Sequence, residues 1–168
     1  YVMCNVVMSP KPREGVDFFP LNVEYEEKLY AAGRIPGSFM RREGRPGERA
    51  ILTSRVVDRP MRPLFPKEMR NDVCITMTVM SLDPDCSPEI AGMIGASLVT
   101  AVSEIPWNGP IGGVQVGLVD GEIVLNPTQE QRKKSDLALT VAATMDKIVM
   151  IEAGANGVDE DTMLNAIK

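Results

Sequence analysis

Apolar and polar positions alternate in short runs along the chain, and the period switches several times between two and about 3.6 residues. Residues 1–8 (YVMCNVVM) read as a strand, the Pro-, Gly- and charge-rich stretch 9–17 (SPKPREGVD) as a loop, and residues 18–25 as a second strand. Residues 73–80 put Val73, Ile75, Met77 and Val79 on one face, the pattern of a strand in a covered sheet. Ser87 as N-cap, Pro88 at the first helical position and Glu89 in the first turn predict a helix running to about Glu104, where Pro106 forces a stop. Its small residues Ala91, Gly92, Gly95, Ala96 and Ser97 suit close packing on a sheet. A turn-rich connector, 107–113, follows, with Trp107 as a packing anchor. Residues 114–119 and 122–125 flank Asp120-Gly121, the two-residue signal of a tight hairpin. Residues 137–143 and 148–151 form another strand pair, and Asp159 or a neighbour caps a last helix ending near Lys168. This order of elements predicts an α+β domain.

At 168 residues and 44% apolar content, the chain is long enough to bury one proper core. Cys4, Cys74 and Cys86 lack ligand-like spacing and there is no histidine, which argues against a zinc site and excludes histidine-based catalysis. No stretch reads as a signal peptide or an uninterrupted membrane span, so a cytoplasmic protein without a membrane partner is expected. The chain opens at Tyr1 inside a strand without an initiator methionine, which suggests a fragment.

Charge changes this picture. The net charge is −5, yet residues 33–65 hold eight arginines (Arg34, Arg41, Arg42, Arg45, Arg49, Arg55, Arg59, Arg62) against Glu43, Glu48 and Asp58, with no lysine. The guanidinium fork suits planar or tetrahedral oxyanions, so a phosphate-bearing ligand is the first expectation. Residues 33–47 carry too many glycines and prolines for a helix or central strand and read as an exposed loop with Arg41 and Arg42 near its tip. Phe39 beside them is the combination that single-stranded nucleic acid binding uses, an aromatic face for a base and cations for phosphates. An ordinary solvated loop is the plainer reading. Residues 48–59 predict a helix on which Arg55, Arg59 and Arg62 fall in one arc flanked by Ile51 and Leu52, along the apolar stripe. Groups placed there need an anionic ligand or an internal ion-pair network through Asp58, and both readings stand.

The runs YAAGRIPGSFMRREGRP, TSRVVDRPMRPLFP, IPWNGPIGG and LNPTQ closely resemble the polynucleotide phosphorylases, specifically their first ribonuclease PH-like half. The likeness extends over almost all of residues 2–168. It implies a ribonuclease PH-like, ribosomal-protein-S5-like two-layer fold, a mixed sheet packed against helices, in a single and incomplete domain without the family's KH and OB-type domains. The implied activity is 3′-to-5′ phosphorolysis of RNA: inorganic phosphate attacks the terminal phosphodiester, and nucleoside diphosphates leave. Implied partners are RNA and two further copies in a homotrimer, and the implied cofactor is Mg²⁺. The loop matching Phe39, Met40, Arg41 and Arg42 lines the family's central pore. Many members have a second aromatic where Met40 stands, so base stacking is expected to be weaker there. Arg45 is placed with the RNA-binding residues, whereas Arg55, Asp58, Arg59 and Arg62 are assigned to a phosphate or ion-pair network. In the catalytic half, aspartates enter the strand matching residues 137–143. Here Ala138 takes one such position and Asp136 is out of register, so no catalytic or metal residue is expected and the metal is assigned to the other half.

Two alternatives accompany this reading: a purely structural trimerisation half with its arginines in ion pairs, and a galactokinase-like small-molecule kinase of the same broad fold. The kinase would need a Gly- and Ser-rich phosphate loop opening a helix, which SPEIAGMIGAS imitates poorly.

Overall fold

The computed structural model describes residues 1–37 and 39–168. Strands β1 (Val2–Pro12), β2 (Leu21–Glu27) and β3 (Asn71–Val79) form one sheet in the order β1-β3-β2. β1 runs antiparallel to β3, whereas β2 runs parallel to it. A parallel pair needs a long crossover. Here the crossover carries a 3₁₀ turn (Leu29–Ala32), the arginine-rich loop and helix α1 (Glu48–Met61). α1 packs on β2, and helix α2 (Pro88–Ala101) packs on β1 and β3. Val73, Ile75, Met77 and Val79 are buried as the alternation predicts. Trp107 anchors this core, 6.1 Å from the Phe65 ring, with its indole N–H donating to the Met61 carbonyl at 3.2 Å.

A second, antiparallel sheet has the order β5-β4-β6-β7, from β4 (Gly112–Val119), β5 (Glu122–Leu125), β6 (Leu137–Ala143) and β7 (Ile148–Ala155). The sheet component is therefore two sheets rather than one. Asp120 and Gly121, at φ of 51° and 83°, make the primed turn of the β4–β5 hairpin. Between β5 and β6 lies helix α3 (Gln129–Lys134), and helix α4 (Glu160–Ile167) packs on the second sheet through Ala166.

Several boundaries differ from expectation. β1 continues through Ser9–Pro12 despite two prolines, because it is an edge strand whose outer N–H groups need no ladder partner. Pro60 lies inside α1, in its last turn, where its missing N–H removes one i→i−4 bond and the helix ends one residue later. α2 ends at Ala101 rather than near Glu104: the Ser103 hydroxyl donates to the Thr100 carbonyl at 2.7 Å and accepts from the Ile105 amide, and this turn replaces the helical ladder. Ser87 holds the N-cap position without a side-chain capping bond. Of the small residues of α2, Gly92, Ala96 and Ser97 are buried, whereas Ala91 faces solvent.

Candidate nucleic-acid interface

Helix α1 does not bury the arc expected of it. Its covered stripe is Thr53, Val57, Pro60 and Met61, while Ile51 and Leu52 are 54% and 56% exposed. Arg55 and Arg59 are accordingly exposed, not aligned with an apolar stripe, and the three arginines of the arc have three different environments. Arg62 is internal. Its Nε and Nη2 donate to both Asp58 carboxylate oxygens at 3.0 and 2.8 Å, and its Nη1 and Nη2 reach the carbonyls of Phe19 and Leu21 at 3.0 and 3.1 Å. Arg59 meets Glu152 on β7 at 3.6 Å. Arg55 has no ion pair among the described residues and lines a cleft with Arg45 and Glu43.

Arg49, in the first turn of α1, donates to Glu89 in the first turn of α2 at 3.1 Å. Burial works against its charge, but the Glu89 carboxylate and, at longer range, Glu27 hold its pKa above the ordinary guanidinium value. Glu89 therefore neutralises a cation at the start of α2, the place where a kinase-type phosphate loop would need cationic capacity free. Nearby, burial and the hydrogen bond to Glu27 push the Tyr25 phenol up, so that it stays a neutral donor.

The loop after the 3₁₀ turn has the opposite character. Gly33, at φ 68°, closes that turn, and the Arg34 amide donates to the Leu29 carbonyl at 2.9 Å. Phe39 is fully exposed at 101%, Met40 is 61% exposed, and Arg41, Arg42 and Arg45 all face solvent. Arg41 takes a φ of 47°, a left-handed conformation uncommon for a side chain of its size. Among the described residues, Arg34, Arg41, Arg42 and Arg45 make no ion pair. Among the described residues, the window thus divides into three arginines matched by carboxylates and five, Arg55 included, without an ion pair.

A cleft of about 510 Å³ separates α1 and α2 from the second sheet, with Ala138 and Glu152 on its wall. The donor set does not fit Mg²⁺: Ala138 presents a methyl group, Glu152 is engaged with Arg59, and no cluster of three or more metal-ligating side chains occurs among the described residues. No described helix is long and apolar enough to cross a membrane.

The geometry can be set beside known proteins. Residues 1–106 match the description "3′ exoribonuclease family, domain 1", and residues 109–168 match "3′ exoribonuclease family, domain 2". A protein of Lachnoclostridium phytofermentans named polyribonucleotide nucleotidyltransferase is 64% identical over 166 residues, 99% of this chain and 24% of that protein. The protein of the same name from Clostridioides difficile is 58% identical over 166 residues, again 99% of this chain and 24% of the relative. This chain thus spans about a quarter of the length of the curated relatives it matches. The crystal structure of rice (Oryza sativa) Rrp46 superposes with a TM-score of 0.76 at 11% identity, over 98% of this chain and 73% of that one, which places the fold alone. With both domain descriptions matched in order along its length, the chain belongs to the 3′ exoribonuclease family.

Proposed function

We propose that this chain is the RNA-guiding first half of a 3′-to-5′ phosphorolytic exoribonuclease, a polyribonucleotide nucleotidyltransferase that consumes inorganic phosphate and releases nucleoside diphosphates. One observation carries the reading: Phe39 stands fully exposed beside Arg41 and Arg42, whose charges no carboxylate of the described residues matches. An exposed aromatic of this size costs solvation unless a base covers it, and paired guanidinium groups hold the flanking phosphates. Arg45 extends the same cationic edge. Chemistry belongs to the other half of the full-length enzyme, where Mg²⁺ is held, because the cleft here offers Ala138 in place of a carboxylate. The working assembly is a cytoplasmic homotrimer whose pore the loop lines. The structural alternative keeps only the matched arginines, and their partners lie within this chain: Arg62, bound to Asp58 and two carbonyls, is structural.

The test is phosphorolysis of single-stranded RNA by the full-length enzyme carrying Arg41→Ala and Arg42→Ala together. Interactions made equally in ground and transition states, once removed, raise KM without lowering kcat. A rise in KM of roughly ten-fold at constant kcat is expected when two charge-assisted hydrogen-bonding groups are removed. A lowered kcat with unchanged KM would place the pair at the chemistry and refute a guiding role.

A further inference from the structure

Glu43 follows Arg41 and Arg42 directly and precedes Arg45 by two positions, so simple electrostatics would have it neutralise one of them. It does not. Its Oε1 accepts the backbone N–H of Leu29 at 3.0 Å, and it is half-buried. That N–H opens the 3₁₀ turn, whose preceding residue, Lys28, provides no side-chain bond to it. The carbonyl of the same Leu29 accepts the Arg34 amide at 2.9 Å. Both ends of the loop are thereby fastened to one residue: Arg34 at the outgoing end through the Leu29 carbonyl, Glu43 at the returning end through its amide. Between them the described residues 35–37 and 39–42 make up the tip. Lys28, which precedes Leu29, is bonded to Glu26 at 2.6 Å and feels the Glu43 carboxylate only at longer range.

Resting on the RNA-guiding reading above, we infer that Glu43 is a positioning residue, which presents Phe39, Arg41 and Arg42 to the strand by pinning the returning end of the loop to Leu29. Its carboxylate acts chiefly as a hydrogen-bond acceptor and makes no ion pair among the described residues. An untethered tip samples many conformations, and binding must then select the competent one, which lowers affinity.

Glutamine keeps the acceptor oxygen and loses the charge, whereas alanine loses both, so the pair separates the two roles. In the full-length protein without phosphate, the affinity for a labelled single-stranded oligoribonucleotide and the hydrogen-exchange rate of the Leu29 amide are measured for Glu43→Ala and Glu43→Gln. E43A is expected to bind roughly three- to ten-fold more weakly than E43Q and to expose the Leu29 amide, while E43Q keeps its protection. Equal affinities for the two variants, at or above that of the unmodified protein, would show that Glu43 acts only as charge and overturn the inference. So would unchanged Leu29 exchange in E43A. The Arg41→Ala, Arg42→Ala double variant is the control on the underlying reading: if it binds RNA normally, the loop does not hold the strand and the positioning role falls with it, whatever the Leu29 amide does.

Discussion

At the scale of single residues, position on a helix proved a poor guide to which arginine is spare. Arg55, Arg59 and Arg62 share an arc, yet Arg62 makes four hydrogen bonds, Arg59 one long ion pair and Arg55 none among the described residues. The Asp58–Arg62 spacing of four was legible. The Phe19 and Leu21 carbonyls were not, because they come from a segment some forty positions earlier. Those carbonyls decide the consequence of mutation. Arg62→Ala removes the fork from Asp58, from the Leu21 carbonyl and from the Phe19 carbonyl, which keeps only the Leu21 amide, and is expected to lower stability by about 2 kcal/mol. Lysine should recover less than half of this, because an ammonium cannot reproduce a fork that spans a carboxylate and two carbonyls. Urea unfolding of the three proteins checks both statements, and a fully stable Arg62→Lys protein would show that charge alone suffices there.

At the scale of elements, the strands and helices with clean apolar periods were legible, including β3, the β4–β5 hairpin and α4. Helix α3 was missed because QEQRKK has no apolar stripe, although its capping box was present in the sequence: Thr128 accepts from the Gln131 amide, and the Gln131 side chain accepts from the Thr128 amide. The extension of β1 through two prolines was invisible for another reason, since edge position follows from sheet order, not from the strand itself. Asp159, one of the candidates for the α4 cap, takes that position and lends itself to a pH test. The Thr162 hydroxyl, and secondarily its amide, hold the Asp159 carboxyl below the usual carboxylate range. A depressed folded-state value stabilises the helix above the ordinary pKa of about 3.9, and that contribution is lost as pH falls through the lower folded value. Acid titration followed by the amide resonances of α4 should show fraying at low pH. Asp159→Ala should be frayed already at neutral pH and show no such transition, whereas an Ala variant with the same acid transition would exclude Asp159 as its source.

At the scale of the whole molecule, charge segregation was legible and its spatial cause was not. The window of 33 residues is part of the crossover between two parallel strands, and that pairing sets the loop beyond the end of the sheet. Alternation reveals which face of a strand is buried but not which strand lies next to it, so neither the crossover nor the division into two sheets could be read in advance. The result is a body with ten Lys or Arg against twenty Asp or Glu, from which a cationic loop projects. With a screening length of about 8 Å at physiological salt, an RNA strand held at the tip escapes most of the body's repulsion. Placement, not net charge, should therefore govern RNA binding, and this can be tested with two equal changes of net charge. Lys133 and Lys134 on α3 are exposed and unpaired among the described residues, so removing them changes net charge as much as removing Arg41 and Arg42. Each phosphate of a single strand that the protein ceases to neutralise lowers the slope of log affinity against log salt by about 0.7. Arg41→Ala with Arg42→Ala should flatten the slope by about 1.4, while Lys133→Ala with Lys134→Ala should leave it unchanged. If both pairs flattened it equally, the acidic body and the basic loop would be acting as one averaged charge, and the loop would have no privileged hold on RNA.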